Sequence, residues 1–140
     1  MNMERNPIDL QAANHTNREL ELMLAGRKPL AVFYDEISVL PDERIIPEAR
    51  FAPHVASGRF VRAEAVLSGP FSPRLRRDFR AKYVLFALAA EAWRIPAFLL
   101  VQRVAERTGH NEMRERLVSS LLGYTDAEID AWCARSFPKA

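Results

Sequence analysis

The stretch SPRLRRDFRAKY, residues 72–83, sets Arg74, Arg76, Arg77, Arg80 and Lys82 close together in the chain. A guanidinium group is suited to one kind of chemistry above others. It grips carboxylates and phosphates through paired, charge-assisted N–H donors. Arg59 and Arg62 stand just upstream, so residues 59–82 hold seven cations against Glu64 and Asp78, a local net charge of +5. Residues 1–58 carry a net −3 and residues 83–140 are neutral, which leaves +2 for the chain. The basic character belongs to one segment. Arg59, Arg62, Arg74, Arg76, Arg77, Arg80 and Lys82 are therefore the candidate residues for binding an anion or a partner.

The segment reads as the start of a helix, with Ser72 as cap and Pro73 in the first turn. Arginines there oppose the helix dipole, whose amino end already behaves as a partial positive charge. Exposed amide donors beside guanidinium forks are what anion recognition uses. Several anions meet that description. Residues 35–48 hold Asp35, Glu36, Asp42, Glu43 and Glu48 against Arg44 alone. They offer compensation within one molecule or across a symmetric dimer. A solvated face is the plain alternative, since arginine stems also cover apolar surface. An acidic protein partner is the third. Nucleic acid is the fourth, in keeping with a pI near 9.0 and with Arg59 and Arg62 on the strand just before.

No nucleic-acid reader motif supports the last of these. In VQRVAERTGHNEMRERLV, Ala105 and Gly109 stand four apart as in helix-turn-helix units, but Glu115 occupies the position where an apolar residue should follow. Other chemistry lacks its residues. His15, His54, His110 and Cys133 fall in none of the metal-ligand spacings, so neither a metal site nor a cofactor is expected. The five glycines stand singly, without a phosphate cradle, and no Gly-x-Ser-x-Gly elbow occurs. Cys133 reads as a small packing residue. One enzymatic arrangement stays open: Asp35 or Glu36, at the end of an apolar run, as general base, with Arg76 or Arg80 holding an anionic substrate.

These residues must be positioned by a small set of elements. Thr16-x-x-Glu19 and Thr125-x-x-Glu128 have the form of capping boxes opening helices. Leu30–Tyr34 is a continuous apolar run expected to be a buried strand. Residues 36–50 read as loop with a short strand at 44–46. In RFVRAEAVL, Val61, Ala63, Ala65 and Leu67 alternate with Arg62 and Glu64, the pattern of a half-buried strand. Ser57-Gly58 reads as a turn that pairs this strand with another near 49–55. From Ser72 onward the spacing of Leu75, Phe79, Tyr83, Phe86, Ala90 and Trp93 predicts a helix. Further helices follow from Pro96, Asn111 and Thr125.

The expected fold class is α+β: an N-terminal helix and a small, mostly antiparallel sheet packed on a C-terminal bundle of about four helices. A single domain over 1–140 suits the length, with residues 1–14 as a flexible arm. The run from Tyr83 to Val101 is broken by Glu91, Arg94 and Pro96, which favours core helices over a membrane span. A lone cysteine points to a reducing cytoplasm.

The leading functional expectation is a small cytosolic, non-enzymatic binding protein that engages an acidic protein partner through its arginines, as an adaptor, inhibitor or immunity-type module does. A nucleic-acid-binding regulator using the same arginines is the alternative, and an enzyme built on Asp35 and Glu36 the third. A homodimer through the acidic and basic segments is compatible with each.

Overall fold

A computed structural model describes residues 15–68, 80–109 and 111–138. The elements are α1 (Glu19–Leu24), β1 (Leu30–Glu36), α2 (Glu48–Ala56), β2 (Phe60–Ser68) and β3 (Arg80–Leu88). A 3-10 turn (Ala89–Glu91), α3 (Arg94–Thr108), α4 (Glu112–Leu121) and α5 (Asp126–Ser136) follow. The fold is α+β, with a small antiparallel sheet and a C-terminal group of helices.

The strand order is β1-β3-β2, with both outer strands antiparallel to β3. β1 and β2 therefore run parallel to each other, joined across β3 by α2, a split β-α-β arrangement. Alternation along the strands assigns two faces. On one face Leu30, Leu67, Tyr83, Leu85 and Ala87 pack with Ile95, Phe98 and Val118 from α3 and α4. On the other, Ala31, Phe60, Val84 and Phe86 pack with Met23 of α1 and Phe51 of α2. The Phe51 and Phe86 rings stack at 4.3 Å between centroids. Helices cover the sheet on both sides, and β3 lies at the centre of all three layers.

That position explains the main departure from expectation. Residues 80–88 form a strand, not the predicted helix. A strand buried on both faces has no polar alternate positions, so its sequence reads as a continuous apolar run that also satisfies a helical stripe by chance. The expected helix start at Ser72 and Pro73 lies outside the described residues. The expected strand near 49–55 is instead α2, and residues 44–46 lie in turns. Pro53 sits inside α2 without an amide to donate, a local cost offset by burial of Phe51. β2 pairs with β3, and its Ala63, Ala65 and Leu67 face the core as alternation predicts.

Caps divide in the same way. Thr125 and Glu128 close the reciprocal box (Glu128 N–H to Thr125 Oγ1, 3.1 Å; Thr125 N–H to Glu128 Oε1, 2.8 Å). Asn111 caps α4 by accepting the Arg114 amide at 2.9 Å. At α1 the cap position falls to Arg18, which makes no side-chain cap bond, so Thr16 and Glu19 do not form the expected box.

Candidate basic surface

The seven candidate cations do not form one set. Arg74, Arg76 and Arg77 lie outside the described residues. Of the other four, Arg62 is the most constrained. It sits on β2, on the sheet face that α1 and α2 cover, with Glu64 two residues on. Its guanidinium donates to both oxygens of Glu48, Nε at 2.9 Å and Nη2 at 2.6 Å, and Nη2 also reaches Glu64 at 2.7 Å. This is the bidentate fork that arginine makes with carboxylates. It raises the Arg62 pKa, while hydrogen bonding from Arg62 lowers that of Glu48. Because Glu48 opens α2, the fork fastens the helix onto the sheet.

Arg59 is exposed but also engaged: its guanidinium donates to the Leu24 carbonyl at the end of α1. There a cation meets the negative end of a helix and one of its unpaired carbonyls. Arg80 and Lys82 differ. Both begin β3 on the same sheet face as Arg62, with Lys82 opposite Asp35 on β1 and Val66 on β2. Arg80 is exposed, opposite Ser68, and pairs with no described carboxylate.

The acidic residues expected to compensate the arginines are largely engaged elsewhere. Asp42 holds Arg44 through two bonds of 3.1 and 3.0 Å. Hydrogen bonding from Arg44 keeps the Asp42 carboxyl below its ordinary range. Both Glu43 oxygens accept amides of Ala49 and Arg50, at 2.9 and 3.0 Å, at the start of α2. Glu48 reaches back to the basic segment through Arg62. Asp35 and Glu36 finish β1, where Asp35 Oδ1 accepts the Glu36 amide at 2.8 Å.

Ala105 and Gly109, whose spacing is that of helix-turn-helix units, fall near the end of α3 and just after it. Arg94 donates to the carbonyls of Ser120 and Leu121 at 3.1 and 3.2 Å, and Arg114 to Gln102 at 2.7 Å. These contacts, two turns apart along α3, tie α3 to α4 at two levels in an antiparallel sense. Glu115 instead accepts the Trp132 indole N–H at 3.0 Å, tying α4 to α5.

A second polar cluster had no signal in the sequence. Lys28, placed by its position as a surface cation near the end of α1, is only 2% exposed. Its Nζ donates to the Leu122 carbonyl and meets His15 Nδ1, each at 2.8 Å. The His15 ring stacks on Tyr124 at 3.9 Å, and the tyrosine hydroxyl accepts the His15 amide at 3.1 Å. Burial, followed by the charges of Lys28, Arg18 and Arg27, lowers the His15 pKa to about 4, so its ring is a neutral acceptor. Burial lowers that of Lys28 to about 7, against a smaller opposing effect of Glu19. Gly123 has φ +98°, and a Cβ there would run into the Pro29 ring, so the turn after α4 is pressed onto this lysine by close backbone approach. Contacts from residues far apart in sequence, Lys28 to Leu122 and His15 to Tyr124, complete this site.

Among the described residues no group of three or more histidine, cysteine or acidic side chains could hold a metal ion. No helix among them is long and apolar enough to cross a membrane. Cys133 is free and buried, and burial pushes its thiol pKa up.

Among the described candidate cations, Arg59 and Arg80 are exposed and Arg62 and Lys82 half-buried, all on the small sheet of an α+β scaffold or beside it. No protein-family model, curated protein or solved structure matches this chain.

Proposed function

We propose that this chain is a small non-enzymatic binding protein that engages an acidic protein partner through the arginine segment leading into β3. Arg74, Arg76, Arg77, Arg80 and Lys82 are its contact residues. The observation that carries this reading is the exposure of Arg80 at the start of the central strand, where it pairs with no described carboxylate, while Asp42 and Glu43 are engaged elsewhere and Glu48 is taken up by Arg62. Arg59 and Arg62 drop out of the contact set, because their guanidiniums hold α1 and α2 to the sheet. Arginine suits such a contact: its planar fork matches carboxylates and it is weakly hydrated.

The test is affinity capture of the tagged chain from its own lysate, with and without nuclease, for the parent and for a variant with Arg74, Arg76, Arg77 and Arg80 changed to Ala. A stoichiometric protein that survives nuclease and is lost in the variant is the expected result. Co-captured nucleic acid, removed by nuclease together with its proteins, would replace this reading with the phosphate-binding one.

A further inference from the structure

A separate face of the molecule carries the pattern of a docking site. Ile95, Phe98 and Gln102 turn α3 onto the sheet, and Val118 and Ser119 are the buried residues of α4. One turn apart on the opposite side of α3, Leu100 and Val104 are 63% and 49% exposed. On α4, Met113 and Leu117 are also one turn apart, 73% and 48% exposed. The Arg94–Ser120 and Gln102–Arg114 contacts fix the antiparallel alignment. That alignment sets Leu100 beside Leu117 and Val104 beside Met113 at 3.6 residues per turn. Four large apolar side chains therefore line the outer groove between the two helices. Clustering of this kind on a soluble surface marks a contact site far more often than scattered single residues do.

The charges on the rim say what would lie there. Arg103 and Arg107, four residues apart beside Leu100 and Val104, are exposed and make no ion pair with any described residue. On the α4 side Arg116 is already neutralised by Glu112 at 2.9 Å and Asp130 at 2.7 Å. The rim thus offers unpaired positive charge only on its α3 side. A second copy packed face to face would bring its own Arg103 and Arg107 onto the same surface, which like-charge repulsion disfavours.

We infer that the α3–α4 groove docks an amphipathic helix of another protein, with apolar residues at i, i+3/i+4 and i+7 seated on Leu100, Val104, Met113 and Leu117, and with carboxylates facing Arg103 and Arg107. This is helix-in-groove recognition, and it does not depend on the arginine segment before β3.

The test uses a fluorescein-labelled peptide of about 20 residues, long enough to be helical, with leucines at that spacing and glutamates flanking them. A matched peptide has lysines in place of the glutamates. Anisotropy is read against the full chain at physiological ionic strength. The glutamate peptide is expected to bind in preference to the lysine one. Met113→Asp and Leu100→Asp, both at largely exposed positions, should weaken it about tenfold or more with an unchanged far-UV circular dichroism spectrum. Charge reversal at Arg103→Glu with Arg107→Glu should switch the preference to the lysine peptide. The variant with Arg74, Arg76, Arg77 and Arg80 changed to Ala should bind the glutamate peptide as the parent does, which separates this site from the basic segment. Absence of binding, equal binding of both peptides, or indifference to Met113→Asp would overturn the inference. So would a concentration-dependent dimer abolished by Met113→Asp in sedimentation, since a second copy would then be the occupant.

Discussion

The α1/α2 layer takes up the arginines that β2 brings to it, whereas the α3/α4 layer engages Arg94, Arg114 and Arg116 and leaves two others on its surface. On the α1/α2 side, Arg62 forks onto Glu48 and Arg59 closes the end of α1, so cations from a locally basic stretch are drawn into the scaffold. On the α3/α4 side, Arg103 and Arg107 lie in a locally balanced region, yet beside exposed leucine, valine and methionine they pair with no described residue. Charge density along the chain therefore does not predict which arginines are available. What decides is whether the fold presents a carboxylate or an unpaired carbonyl at the right distance. Glu48 is there for Arg62 because α2 starts over β2, and no described carboxylate is there for Arg103.

The comparison of layers rests on a sheet packed on both faces, and the largest expected effects lie in β3. Phe86 and Leu85 are both fully buried, toward α1/α2 and toward α3/α4 respectively. Phe86→Ala should cost about 3–5 kcal/mol and Leu85→Ala about 2–5 kcal/mol in urea unfolding, the range for large-to-small core changes. A loss well under 1 kcal/mol for Phe86→Ala would mean that the α1/α2 layer is not packed as described.

The Lys28 cluster joins the start of β1 to the turn between α4 and α5, and its protonation gives the next largest effect. Lys28 stands at about 7 in the folded chain against 10.5 when unfolded. Above pH 7 the unfolded chain binds more protons at this position, so stability rises with pH, by about 2 kcal/mol between pH 7 and 9. The rise ends near pH 9, where Cys133, whose folded pKa is raised, begins to act in the opposite sense. On the acid side His15, at about 4 when folded and 6.5 when unfolded, makes stability fall as pH drops from 6.5 to 4. Unfolding free energies measured at intervals from pH 4 to 9 should show both limbs. Lys28→Met should flatten the alkaline one and His15→Gln the acid one. An unchanged alkaline slope in Lys28→Met would show that the amine is not buried in its charged form.

How far the sequence carries follows from the same contrasts. The alternating faces of residues 60–67 were legible because an edge strand shows its period plainly, and Leu30–Tyr34 because a short apolar run with valine and aromatic residues reads as a strand without one. Thr125-x-x-Glu128 was legible because a cap is local chemistry. Residues 80–88 were not, because burial on both faces erases the period. Neither was α2, expected as a strand near 49–55, because Phe51 and the Glu48–Arg62 fork that hold it as a helix act through the fold. The candidate basic site was legible as composition only. Its division into engaged and free cations depends on tertiary acceptors that no local pattern announces, and so does burial of Lys28.

The central claim is that division, and paired variants test it most directly by urea unfolding. Arg62→Ala should lower stability by about 1 kcal/mol, since it leaves the half-buried Glu48 carboxylate without its fork. The variant with Arg74, Arg76, Arg77 and Arg80 all changed to Ala should stay within about 0.5 kcal/mol of the parent. The opposite result, a neutral Arg62→Ala and a destabilised quadruple variant, would contradict the account: the arginines before β3 would then be part of the scaffold.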